Sequence, residues 1–124
     1  MNDTVNKEAI KKWIEALRSG QYKQGIYSLR NHNDDEDDTF CCLGVACDLF
    51  AEEVGGEWQR AGDDYKFQIV DNQHYGVSFM PSPMVEYLGL SDGFLNDKLS
   101  AMNDGEYSFE QIADEIEKEL NNYD

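Results

Sequence analysis

The chain has 124 residues, 40% of them hydrophobic, and sets ten Lys and Arg against 26 Asp and Glu for a formal net charge of −16. That length suits a single compact domain over residues 1–124, and that charge excludes direct binding to nucleic acid or to an anionic membrane surface. No apolar run approaches the ~20 residues that span a bilayer, and the N-terminal MNDTVNKEAIKKW lacks the apolar core of a secretory signal. Cys41, Cys42 and Cys47 are odd in number and clustered in an apolar segment, which builds no disulfide framework. The chain therefore reads as cytoplasmic, with reduced thiols.

In chain order, the first expected element is a helix from about Thr4 to Arg18. Ile10, Trp13, Ile14 and Leu17 fall at helical spacing on one stripe, and Ser19-Gly20 supplies the stop. QYKQGIYSLR (21–30) follows as an aromatic and basic connection, then NHNDDEDD with five consecutive acids, whose self-repulsion favours an exposed loop. Thr39 to Val54 is the most apolar segment and is expected to be a buried helix, started by Thr39 or Asp38 and ended by Gly55-Gly56. Alternation in Tyr65–Val70 and Tyr75–Met80 around Asp71-Asn72-Gln73 predicts a β-hairpin, with Trp58 beginning or approaching a third strand. Ser82 and Pro83 fit the cap and first turn of a short helix to Leu88, stopped by Gly89. Ser91-Asp92 caps a further helix from Phe94 to Met102, followed by a turn at Asn103-Asp104-Gly105. The last helix opens on Ser108 with Gln111 completing a capping box, and buries Phe109, Ile112, Ala113, Ile116 and Leu120.

These elements define an α+β fold of four or five helices packed on a small antiparallel β-sheet of two or three strands. Trp13, Leu17, Leu43, Phe50, Ile112 and Ile116 are expected to share one core.

The cysteine cluster is the sharpest candidate for chemistry. A thiol at a helix N-terminus is easier to ionise, so Cys41 or Cys42 would be the nucleophile, with His32 or His74 as base. The apolar neighbours and the acids at 34–38 argue instead that these thiols are small buried hydrophobes. A metal site is not expected, because the C-C-x4-C spacing lacks the C-x2-C pairs of zinc sites. Neither register of the Asn33–Asp38 run places the glycine and the final Glu of a calcium loop. Nucleotide cradles and hydrolase elbows find no motif, and no cofactor is implied.

Charge remains the strongest functional signal. Residues 1–33 sum to +3 and residues 34–124 to −19. The acids Asp34, Asp35, Glu36, Asp37 and Asp38, with Glu110, Asp114, Glu115 and Glu117 on the outward face of the last helix, are the candidate surface for a basic protein partner. Rows of carboxylates at helical spacing can occupy a groove meant for phosphates. An alternative is a phosphate-bearing ligand held by Tyr22, Lys23, Tyr27 and Arg30, which otherwise pair with the acidic remainder of the chain.

WIEALRSGQYKQG (13–25), FCCLGVACDL (40–49), PSPMVEYLGL (81–90), LSAMND (99–104) and SFEQIADEIE (108–117) together resemble a family of small proteins of tailed bacteriophages and prophages. The resemblance covers nearly the whole chain, and C-C-L-G-V-x-C-D-L is its most specific block. It implies a phage-encoded accessory protein acting on a component of the host cytoplasm, and it carries over no catalytic residue.

Overall fold

The computed structural model of the chain describes residues 5–32, 37–69 and 74–122. Helix α1 (Lys7–Ser19) starts at Asn6, whose side chain accepts the Ala9 N–H at 3.2 Å, and the expected start at Thr4 lies outside the described residues. Its stripe of Ile10, Trp13, Ile14 and Leu17 is buried, and Gly20 ends it in the left-handed conformation at φ 80°.

Three two-residue strands follow: β1 (Lys23–Gln24), β2 (Arg30–Asn31) and β3 (Thr39–Phe40). Thr39 is therefore a strand residue, and neither it nor Asp38 caps a helix. Helix α2 (Cys42–Leu49) begins after Cys41, which offers no side-chain cap. The orphaned Cys42 N–H is taken instead by the Asn103 side chain at 3.1 Å, from 61 residues away. The expected continuous helix to Val54 is also divided, because Phe50 leaves helical geometry (φ −112°, ψ 20°) before the short α3 (Ala51–Val54) and its left-handed stop at Gly55.

The long hairpin lies one step earlier than the alternation predicts. Strands β4 (Gly56–Ala61) and β5 (Asp64–Ile69) pair antiparallel across Gly62-Asp63, with Trp58 opposite Phe67. Strand β6 (Tyr75–Gly76) pairs β5 for two residues only, and the expected Asp71–Gln73 turn lies outside the described residues. The ladder stops there because the next backbone groups have other partners. Val77 C=O accepts from Leu29 N–H, and the Asn96 amide bonds both the N–H and the C=O of Met80.

The described strands form one six-stranded mixed sheet in the order β1-β3-β2-β5-β4, with β6 on β5 and β1 parallel to β3. This is larger than the two- or three-stranded antiparallel sheet expected. Four of its strands have two residues each, too short to show alternation.

Helix α4 (Ser82–Leu88) is capped by Pro81 rather than Ser82, since the extended Pro81 C=O accepts from both Met84 and Val85 while Ser82 makes no cap bond. Ser91 does accept the Phe94 N–H, but the segment it opens (Gly93–Leu99) is a π-helix, continued by α5 (Ser100–Asp104). Asn103 and Asp104 are thus helical, not a turn. Helix α6 (Phe109–Asn121) carries the Ser108–Gln111 capping box and the expected buried stripe. The architecture is α+β, with six α-helices among the described residues. Helix α2, buried from Cys42 to Cys47, occupies the middle, where the Trp13 indole N–H donates to its first carbonyl, Cys42 C=O, at 3.0 Å. Trp13, Leu17, Leu43, Phe50, Ile112 and Ile116 share one core cluster.

Candidate functional site

All three thiols are buried. Burial pushes Cys41 up to about 11 against the pull of the Gly44 and Leu43 N–H groups, and pushes Cys42 and Cys47 well above the usual thiol range. The helix start that would activate a thiolate is outweighed by desolvation. None of the three thiols bonds a histidine among the described residues, and Cys42 Sγ points to the Leu99 carbonyl at 3.7 Å. His74 is exposed, with its backbone carbonyl accepting from Ile69 N–H. His32 sits at the end of β2, its Nδ1 3.2 Å from Asp38. Among the described residues no group of three or more His, Cys, Asp or Glu is placed to hold a metal, and no helix is long and apolar enough to cross a membrane.

The acidic residues divide into two settings. Asp34, Asp35 and Glu36 lie outside the described residues, and Asp37 is exposed. Asp38 turns inward and grips Arg30 through Nε at 2.9 Å and a terminal nitrogen at 2.8 Å. On α6, Asp114 and Glu117 hold Arg18 of α1 at 2.6 and 3.0 Å, which raises the Arg18 pKa, while Glu115 holds Lys98 at 2.6 Å, which lowers the Glu115 pKa. Glu110 is exposed at the start of the same helix. The α6 row is therefore real but partly compensated by two bases from neighbouring elements. Beside it, Lys11, Glu15, Arg18 and Glu117 border a groove of about 240 Å3 floored by Ile14 and Leu120.

Of the residues named for a phosphate-bearing ligand, Tyr22 and Arg30 meet on the Phe40 ring. Arg30 lies over Tyr65, Phe40 and Trp58, with its guanidinium 4.2, 5.1 and 5.4 Å from their ring centres. Tyr22 packs edge-on against Phe40 at 5.1 Å, and its hydroxyl donates to Asp48 at 2.7 Å; burial and that carboxylate raise its pKa. Asp48 also accepts the Trp58 indole N–H at 3.0 Å. An anion would have to displace Asp38 from Arg30 to enter. Lys23 is exposed on β1, and Tyr27 is exposed with its N–H donating to Asp104 at 3.0 Å.

The roles of Asp38, Asp48, Trp58 and Tyr65 in this cluster escape sequence reasoning, because each comes from a different element. A second feature it misses is the display of Ile26, Tyr27, Phe79 and Tyr107, which are 40, 64, 52 and 47% exposed. Tyr27 stands in the left-handed region at φ 71°, a rare setting for a bulky residue and one that sequence does not announce.

Neither a curated protein nor a solved structure matches the chain. A family model does match, over residues 5–120, and the chain belongs to that family, described as a domain of unknown function (DUF8296).

Proposed function

We propose that this protein is an accessory protein of the kind tailed phages encode, acting without catalysis by binding a basic surface on a host protein. The observation that supports it is uncompensated charge. If each of the ten bases neutralised one acid, sixteen carboxylates would remain. Among the described residues no carboxylate-bearing side chain is buried. The internal pairs to Arg18, Arg30 and Lys98 thus leave a large negative surface, which attracts positive partners and speeds their encounter. Exposed pairs such as Arg18–Asp114 are worth little to the fold, so a partner's Lys or Arg can compete for those acids.

The test is retention of proteins from a bacterial lysate on the immobilised chain, followed by a salt wash. A basic protein that is retained at low salt and released at roughly 0.5 M, where charges are screened beyond a few ångströms, is the expected result. Changing Glu110, Asp114, Glu115 and Glu117 together to Gln should weaken that retention. Retention unaffected by salt and by the four substitutions would refute the proposal.

A further inference from the structure

We infer that the partner docks along the outer edge of β4, and that what docks is an extended segment of it carrying Lys or Arg opposite Glu57. This rests on the reading of a basic partner given above, and it names the edge that grips the partner and the shape of what is gripped.

The sheet ends on two very different edges. One is β1, two residues long, the kind of short edge by which natural sheets avoid pairing with a neighbour. The other is β4, whose six residues pair β5 without interruption from Gly56↔Ile69 to Ala61↔Asp64. At about 3.3 Å per residue that edge is ~20 Å long. Its register has no bulge and its sequence no proline, two devices that commonly blunt an edge.

The direction of its backbone groups follows from β5. Ile69 N–H donates to His74 C=O at 2.7 Å, on the side of β5 away from β4. Backbone groups alternate along a strand, so Asp64, Lys66 and Gln68 are the β5 residues that bond β4, through Ala61, Gln59 and Glu57. Gly56, Trp58 and Arg60 therefore turn their N–H and C=O outward. Among the described residues no other strand and no loop backbone pairs with them. Open N–H and C=O groups at every second residue are a template that an extended chain satisfies by adding a strand.

Charge selects the occupant. Glu57 is exposed on this strand, and Gln59 Nε2 donates to its carboxylate at 3.3 Å. The two nearby bases are drawn elsewhere. Arg60 folds back on Gly62 C=O at 3.0 and 3.2 Å, and Lys66 of β5 lies over the Tyr75 ring at 5.1 Å. A strand laid beside β4 thus meets a carboxylate, which a Lys or Arg of the added segment pairs across. A second copy offers the same backbone, but two chains of −16 repel.

The test uses the protein retained from lysate, identified and purified, and amide hydrogen exchange of the full chain read by NMR. The Trp58 and Arg60 amides should exchange fast in the free chain and at least ~10-fold more slowly in the complex, with Glu57 and Gln59 protected in both. Arg60→Pro deletes one outward N–H and leaves the β4–β5 ladder whole; Arg60→Ala removes the same side chain and keeps the N–H. Arg60→Pro is expected to bind at least ~10-fold more weakly than Arg60→Ala, with similar thermal unfolding, for a lost main-chain bond and a ring in the segment's path. Glu57→Lys should weaken binding as well, and full affinity in that variant would overturn the basic segment. Unchanged exchange at Trp58 and Arg60, with the two Arg60 variants binding alike, would overturn the edge; the charge reading then stands or falls by the salt wash and the α6 Gln substitutions alone. No retained protein would overturn both. Exchange at Trp58 and Arg60 that slows with the chain's own concentration, in step with a dimer that Arg60→Pro dissolves, would assign the edge to a second copy and overturn the inference as well.

Discussion

Asn103 carries more of the tertiary structure than its polarity suggests, and its removal is the most direct test of the fold. The side chain is fully buried; its oxygen accepts from Cys42 N–H and from Gln24 Nε2, both at 3.1 Å, and its nitrogen donates to Gly25 C=O at 2.8 Å. It therefore caps the central helix, anchors β1 and braces the 25–27 loop at once. In Asn103→Ala, Gln24 keeps its other bonds, to Tyr107 C=O and Phe109 N–H. The Cys42 N–H has no water to turn to, and the Gly25 carbonyl has little. At about 1–3 kcal/mol for each buried group left unsatisfied, with a small cavity besides, the expected loss is about 3–5 kcal/mol. For a chain of this length that corresponds to a drop in Tm of roughly 10–20 °C. Asn103→Asp keeps the shape and the acceptor but loses the donor and buries a charge beside Asp104, so it should be at least as damaging at neutral pH. Thermal unfolding followed by circular dichroism measures both. A loss below about 1 kcal/mol for Asn103→Ala, the range of an ordinary surface change, would show that the central helix and the 25–27 loop are held by something else.

A Cβ at Gly44 would run into the Leu29 carbonyl oxygen, so Gly44→Ala should cost at least ~2 kcal/mol in urea unfolding, and a neutral result would refute that close approach. Ser108→Ala removes the acceptor for Gln111 N–H at 3.1 Å and should cost about 1 kcal/mol by the same measurement. The three thiols should label slowly in the native protein at neutral pH and readily after unfolding; rapid native labelling of Cys41 or Cys42 would revive the nucleophile reading. Cys41 titrates at about 11 when folded, above the unfolded value of about 8.5. The folded state therefore holds the proton more tightly, and this contribution to stability is complete below pH ~8.5 and lost as pH rises toward 11. Urea midpoints should fall between pH 8.5 and 10 by more in the native sequence than in Cys41→Ala; equal falls would remove Cys41 as the cause.

What was legible in the sequence follows from the length of the pattern that encodes it. Helices α1 and α6 each run 13 residues, long enough for a buried stripe to repeat, and Ser108 with Gln111 marks a start that depends on local bonds alone. The sheet was largely hidden, because β1, β2, β3 and β6 have two residues each and are fixed by partners far along the chain. Thr39 reads as a helix cap, and its pairing with Lys23 and Asn31 makes it a strand residue instead. Asp38 reads as the last of a solvated run, yet Arg30 of β2 and His32 just past that strand draw it in. Tyr27 gives no signal at all, since a positive φ at a tyrosine is imposed by Asp104 and the Ile26–Ser28 turn, neither of which local preference foretells.

The block FCCLGVACDL (40–49) shows how a run that looks chemical can be accounted for by packing. Phe40 is the β3 residue beneath Arg30 and between Tyr22 and Trp58. Cys42 offers its N–H to Asn103 and its C=O to the Trp13 indole, so its backbone joins α5 to α1 through α2. Gly44 admits the Leu29 carbonyl where no side chain would fit. Cys47 adds a small apolar group to a helix buried on all sides, and Asp48, at the edge of that helix, ties Tyr22 to Trp58. Each of these positions is engaged by a neighbour inside the molecule. The ring of Tyr27, by contrast, stands 64% exposed in a loop closed by the Ser28 N–H to Ile26 C=O bond.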